Sequence, residues 1–207
     1  MKQFIEKFLF IFLLIGASCN KETGPTFVSG TVQDKTTFTG VDNANVGLFE
    51  YDGESAFGLS GTLLDEVYSD ASGNFTFNFT ARKGYSYYVQ AIKEQYWNDQ
   101  SNNVTFIENT GGETSAVVYL QPEGYLSIHI LDLSPILNNY EFRAWPFSNF
   151  IQLDAGGLDT IISGTIFGNS NFTINWVLED LISNTVYPDS EIIYCPAFDT
   201  TFYELFY

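Results

Sequence analysis

Phe75-Thr76-Phe77-Asn78-Phe79-Thr80 alternates aromatic rings with polar residues, and that period of two puts the three phenylalanines on one face of an extended strand. Asp70-Ala71-Ser72-Gly73-Asn74, just before it, carries turn residues, with Gly73 free to take a positive φ. To either side, short runs of β-branched and aromatic residues recur about every ten residues between turn signals, the pattern of an all-β sandwich. Strands are expected near 27–33, 44–51, 62–69, 74–80, 85–93, 103–108 and 115–121. Pro122-Glu123-Gly124 closes this series, and a new alternation, Leu126-Ser127-Ile128-His129-Ile130, opens after it. Further strands are expected near 125–132, 140–146, 159–167, 172–179, 191–195 and 200–207, with turns at Gly156-Gly157 and Gly168-Asn169-Ser170-Asn171. No stretch keeps helical periodicity long enough to compete. The expectation is an all-β chain of two sandwich domains, residues 27–121 and 122–207.

Hydrophobic residues make up 45% of the 207 and aromatics 17%, which supplies packed cores and argues against wholesale disorder. The formal net charge is −17, and no run of Lys or Arg occurs. A chain of that charge repels nucleic acid and anionic headgroups, so neither is an expected partner.

At the start of the chain, Lys2 and Lys7 lead into the apolar run Phe8-Leu9-Phe10-Ile11-Phe12-Leu13-Leu14-Ile15, then Gly16-Ala17-Ser18 and Cys19. The run falls short of the roughly twenty apolar residues of a membrane span, and its charged start and small-residue end suit an export signal. It resembles a bacterial lipoprotein signal of the looser Bacteroidota form, with Gly16 where Leu or Val is usual. That resemblance implies removal of residues 1–18, acylation of Cys19, a lipidated tether over 19–26 and an outer-membrane location. Two or three acyl chains on one cysteine hold stably, where a single chain binds only marginally. An ordinary secretory signal is the alternative, because Gly16 and Ser18 also fit a small-x-small cleavage site. Asn20-Lys21-Glu22-Thr23 resembles the surface-export signal of the same lipoproteins, with Thr23 in place of a second acid. Cell-surface display is therefore expected over a periplasm-facing anchor.

Four segments, Val28-Ser29-Gly30-Thr31-Val32, Gly40-Val41-Asp42-Asn43-Ala44-Asn45-Val46, Ser69-Asp70-Ala71-Ser72-Gly73-Asn74-Phe75 and Tyr85-Ser86-Tyr87-Tyr88-Val89-Gln90-Ala91, resemble successive strands and turns of the carboxypeptidase regulatory-like domain. The likeness covers about residues 27–121 and implies a seven-stranded, prealbumin-like Greek-key sandwich used as a structural or interaction module. It implies no peptidase activity, since the peptidase's zinc ligands belong to a separate catalytic domain. The second half resembles C-terminal sandwich domains of Bacteroidota lipoproteins, notably in Phe198-Asp199-Thr200-Thr201-Phe202-Tyr203, so two Greek-key β-sandwich domains are expected.

Candidate chemistry is sparse. His129, the sole histidine, falls on the polar side of its strand, and one His with one spare Cys is too few N and S ligands for a zinc site. If Cys19 is acylated, Cys195 has no disulfide partner and reads as a small buried apolar residue. Neighbouring carboxylates Asp65-Glu66 and Glu179-Asp180 point to opposite strand faces, while Glu50 and Asp52 run into a turn, so all read as solvated strand ends rather than a glycosidase pair. Asp70, Ser72 and Asn74 alternate oxygen ligands but lack the glycine of a calcium loop, and a hairpin turn is the plainer reading. The Asn-x-Thr sites at Asn74, Asn78, Asn103 and Asn171 read as outward strand positions, and Asp159-Thr160-Ile161 and Asp199-Thr200-Thr201 resemble a Bacteroidota O-glycosylation motif. Tyr96 and Trp97, with Phe57, sit among polar loop residues where exposed rings could stack on sugars or serve as half-buried anchors.

The expected protein is exported, lipid-anchored and non-catalytic, with no cofactor or metal, its partner an outer-membrane protein or a glycan. Its expected role is binding, adhesion or assembly. A carbohydrate-binding accessory lipoprotein of a nutrient-uptake system is the alternative, resting on Tyr96 and Trp97. An enzyme would need two carboxylates converging with His129, and an outer-membrane barrel would need strands of about nine to eleven residues.

Overall fold

The computed structural model describes residues 23–52, 61–98, 103–133, 140–144 and 151–206, whose regular structure is entirely β. Residues 1–22, Cys19 among them, and Phe57 lie outside the described residues. No helix among those described is long and apolar enough to cross a membrane. The first seven strands are β1 (Gly24–Asp34), β2 (Asn45–Tyr51), β3 (Thr62–Tyr68), β4 (Asn74–Ala81), β5 (Ser86–Ile92), β6 (Val104–Ile107) and β7 (Glu113–Leu120). They form one sheet in the order β4-β1-β7 and a second in the order β3-β2-β5-β6. The remaining seven are β8 (Glu123–Leu131), β9 (Tyr140–Ala144), β10 (Ile151–Asp154), β11 (Asp159–Phe167), β12 (Ser170–Asp180), β13 (Thr185–Cys195) and β14 (Thr200–Phe206). Their sheets run β11-β8-β14 and β10-β9-β12-β13. Strand for strand, the second half repeats the first, and in each the opening strand pairs antiparallel with the fourth and parallel with the seventh.

Alternation builds both cores. In β4, Phe75 and Phe77 are buried and Phe79 packs against them, while Asn74, Thr76 and Asn78 face out. They meet Val28 and Val32 of β1, Val46 and Leu48 of β2, Val89 of β5 and Val118 of β7. The second core gathers Leu126, Ile128 and Ile130 of β8, Phe142 of β9, Ile174 and Trp176 of β12, Ile193 and Cys195 of β13 and Leu205 of β14. Cys195 is thus a core residue, and burial raises its thiol pKa.

Several expectations are corrected. The first strand starts at Gly24, so Pro25 and Thr26 belong to β1 and not to a tether reaching residue 26. Proline fits there because Pro25 pairs only with Thr80 of β4, and the parallel partner β7 comes alongside only from Phe27. Strand β10, not expected at all, is a four-residue edge piece. Strand β13 begins at Thr185, six residues early, and includes Pro188, which is tolerated because this edge strand pairs on one side only. Glu50 is no solvated strand end: its buried carboxylate accepts hydrogen bonds from the Arg82 guanidinium and the Tyr87 hydroxyl. Nor is Glu179, which lies opposite Glu141 across β9 and β12, with Arg143 bridging both. Asn103 is buried, with its amide NH₂ donating to the Trp97 carbonyl, so it is not an outward position.

Candidate functional site: the junction of the two sandwiches

Only Gln121 and Pro122 separate β7 from β8, and residues 95–97, which follow β5, lie along this short connection. The Trp97 N–H donates to the Gln121 carbonyl at 2.9 Å, and the Glu123 N–H donates to the Gln95 carbonyl at 2.9 Å. The second sandwich closes in from its own side. Gly168 N–H reaches the Pro122 carbonyl at 2.8 Å and Phe198 N–H the Glu123 carbonyl at 2.7 Å. Close approach of these backbones needs glycine: a Cβ on Gly168 would lie 2.7 Å from the Glu123 carbonyl oxygen, and one on Gly124 would lie 2.9 Å from that of Pro196.

Tyr96 and Trp97, the residues picked out as possible sugar platforms, both sit half-buried in this junction. Tyr96 meets Phe198 edge to face with centroids 5.2 Å apart, and Trp97 meets Phe167 in the same manner at 5.0 Å. The Trp97 indole N–H donates to the Ile166 carbonyl at 3.1 Å. These are the half-buried anchors of the two readings, each ring of the first sandwich being held by a ring of the second.

Sequence reasoning missed the polar counterpart of this contact. Buried Asp34, the last residue of β1, accepts from Thr36 Oγ1 at 2.6 Å and from the Tyr96 hydroxyl at 3.4 Å. Thr36 Oγ1 in turn accepts from Asn169 Nδ2 at 2.9 Å, and Asn169 Oδ1 accepts from the Ala197 N–H at 3.0 Å. Burial, then the Asp34 carboxylate, push the Tyr96 phenol up to about 12, so it stays a neutral donor at any ordinary pH. The one legible signal was the turn around Asn169, a residue whose φ of 52° suits asparagine.

Beside the junction lies an open groove of about 770 Å³. Its floor is an outward row across the first sandwich, where Tyr68 of β3, Asn45 of β2 and Ile92 of β5 lie in register. Glu123 and Tyr125, on the outward face of β8, form its wall, with the Tyr125 hydroxyl donating to Glu123 Oε2 at 3.0 Å. Lys93, also on the groove, is taken up by Asp42: its Nζ donates to the Asp42 carbonyl and to Oδ1, the latter at 2.7 Å, and this holds the Asp42 carboxyl below its usual range.

Other candidates lie apart from the junction. His129 faces outward between two carboxylates, with Nε2 at 2.7 Å from Asp159 and Nδ1 at 3.9 Å from Glu204. Asp70 Oδ1 accepts from the N–H groups of Ser72 and Asn74, which makes the loop a capped turn. Among the described residues no group of three His, Cys, Asp or Glu is placed to hold a metal.

No protein-family model matches the sequence, and no curated protein matches it. Solved structures do resemble the chain. The TIE protein of Bacillus anthracis is 12% identical, with a TM-score of 0.40 over 89% of this chain and 34% of that one. A streptococcal ancillary pilin is 13% identical, with a TM-score of 0.40 over 89% of this chain and 63% of that one. A minor pilin of Streptococcus agalactiae is 10% identical, with a TM-score of 0.39 over 88% of this chain and 94% of that one. The chain thus spans about a third of the first and less than two thirds of the second.

Proposed function

We propose that this chain is an exported, lipid-anchored and non-catalytic module that holds a binding surface away from the outer membrane, for adhesion or for assembly with an outer-membrane protein. The observation that carries this reading is the polarity of the tandem. Strand β1 begins at the pole of the first sandwich farthest from the junction, since Gly24 pairs with Ala81 while Asp34 reaches Tyr96. Strand β14 runs parallel to β8 and away from the junction, so Phe206 lies beside Leu131 at the far pole of the second sandwich. A lipid on Cys19 would therefore hold the near pole at the bilayer and leave the far pole free.

That far pole carries exposed apolar side chains, Leu133, Leu181, Ile182, Val186 and Phe206, of the kind that mark protein contacts. The cell surface is favoured over the periplasmic face by the Lys21-Glu22 pair after Cys19. Mass spectrometry of the N-terminal peptide tests the anchor: an acylated Cys19 is expected, and an unmodified cysteine or cleavage elsewhere overturns it. Protease treatment of intact cells tests the side, with removal of the protein expected. Full protection, in cells that lose a known surface marker, overturns display.

A further inference from the structure

We propose that the groove beside the junction is a binding site for a neutral, hydroxyl-rich ligand of the oligosaccharide class. This goes beyond the anchoring role and does not rest on it.

The chemistry of the groove narrows what it can hold. Its floor sets an aromatic ring, a side-chain amide and an aliphatic side chain in one row, with Tyr68 63% exposed and Ile92 39% exposed. Rows of strands lie about 4.8 Å apart, so the floor offers an apolar, ring-bearing strip with a hydrogen-bonding group at its centre. Asn45 is held by its own Nδ2, which donates to Glu66 Oε1 at 2.8 Å and leaves Oδ1 to accept from a ligand hydroxyl. The wall adds the Glu123 carboxylate, oriented by Tyr125, and the exposed amide of Gln95 adds both a donor and acceptors. Aromatic faces with planar amides and carboxylates suit a molecule that has apolar C–H faces and many hydroxyls. Among the described lining residues the one cation, Lys93, is taken up by Asp42, and the chain carries −17, so the groove does not favour an anionic ligand. The volume of about 770 Å³ lies within the range of roughly 300–1,000 Å³ typical of small-molecule sites and accommodates several sugar rings.

The groove also needs both domains. Its floor belongs to the first sandwich and its wall to the second, so the hydrogen bonds and ring contacts of the junction fix its width. Tyr96 and Trp97 then matter to a sugar through the geometry they impose, with Tyr68 and Tyr125 supplying the ring faces.

The test is affinity electrophoresis of the chain carrying Cys19→Ser, run through gels containing pullulan, a β-1,4-mannan, xyloglucan or arabinogalactan, with chondroitin sulfate as an anionic comparison. Retardation by at least one neutral polysaccharide is expected. Tyr68→Ala and Asn45→Ala should each weaken it tenfold or more, while Ile182→Ala, exposed at the far pole of the second sandwich, should leave it unchanged. Tyr68 is mostly exposed, so circular dichroism and the melting temperature should stay at wild-type values, and Tyr68→Phe provides a second variant that keeps the ring and the binding. No retardation by any of the four, retardation by chondroitin sulfate alone, or retardation unaltered in the Tyr68→Ala and Asn45→Ala variants would each overturn the assignment.

Discussion

Burial of Glu50 beneath the Arg82 guanidinium makes the first sandwich sensitive to acid. Hydrogen bonding from Arg82 first, and from the Tyr87 hydroxyl second, keeps the Glu50 carboxyl below its ordinary range, although burial opposes the shift. A carboxyl with a lower pKa in the folded than in the unfolded state adds stability above its unfolded value, and that contribution fades as pH falls through the folded one. Glu50→Gln should therefore cost about 1.5–3 kcal/mol near neutrality, the range for hydrogen bonds to a charged group, and should lose less stability than the wild type on acidification. Urea midpoints at pH 7 and pH 3 check this, and equal losses in both proteins would contradict it. At the same scale, Phe77 is 1% exposed and central to the core, so Phe77→Ala should lower stability by about 3–5 kcal/mol in the same measurement. The two residues differ in how they could be read from sequence. Phe77 announced itself by alternation, whereas Glu50 sits in Glu50-Tyr51-Asp52-Gly53, a polar strand end by every local signal. Its partner Arg82 lies 32 residues away on another element, and local pattern carries no information about such pairs.

Strands show the same division. Most were legible because period two with β-branched and aromatic residues is strong over seven or more positions, as in β4 and β8. The two failures have physical causes. Ile151-Gln152-Leu153-Asp154 of β10 is too short to display a period, and the first half of β13, Thr185 to Ser190, is exposed on both faces and contains Pro188. Edge strands pay for safety against stray pairing with such features, here Pro188 together with Asp189 and Glu191 on the inward-facing side. Packing of loops at the junction was out of reach for a similar reason: alternation tells which face of a strand is buried, not which loop meets which. The junction predicts a cooperative unit. Trp97→Ala removes the bond to Ile166 and the edge contact with Phe167, so calorimetry should resolve two unfolding transitions where the wild type gives one. A single, unshifted transition in the variant would mean that the contact carries no coupling.

At the scale of the molecule, the same strand order occurs twice without a sequence repeat, because a sandwich core asks only for apolar side chains on inward positions and not for particular ones. Val28-Ser29-Gly30-Thr31-Val32 in β1 and Leu126-Ser127-Ile128-His129-Ile130 in β8 occupy corresponding places with different residues. Position differs too. The turn after β4, at Lys83, lies at the pole where the chain enters, since Ala81 pairs with Gly24. The turn after β12, at Ile182, lies at the opposite pole, since Asp180 pairs with Tyr140 at the end remote from Ser170. At about 3.3 Å per residue, the eleven residues of β1 and the nine of β8 span roughly 35 Å and 30 Å. The proposed lipid on Cys19, with both sandwiches joined end to end, would therefore place Lys83 near the bilayer and Ile182 several tens of ångströms from it. The measurement is collisional quenching by headgroup-labelled lipids in vesicles, with a fluorophore attached through Lys83→Cys or Ile182→Cys in the acylated protein, where Cys195 is buried. Strong quenching at position 83 and little at 182 is expected. Trp97→Ala should raise quenching at 182 by letting the sandwiches move relative to each other, while equal quenching at both sites in the unaltered protein would show that the tandem lies flat on the membrane and does not project from it.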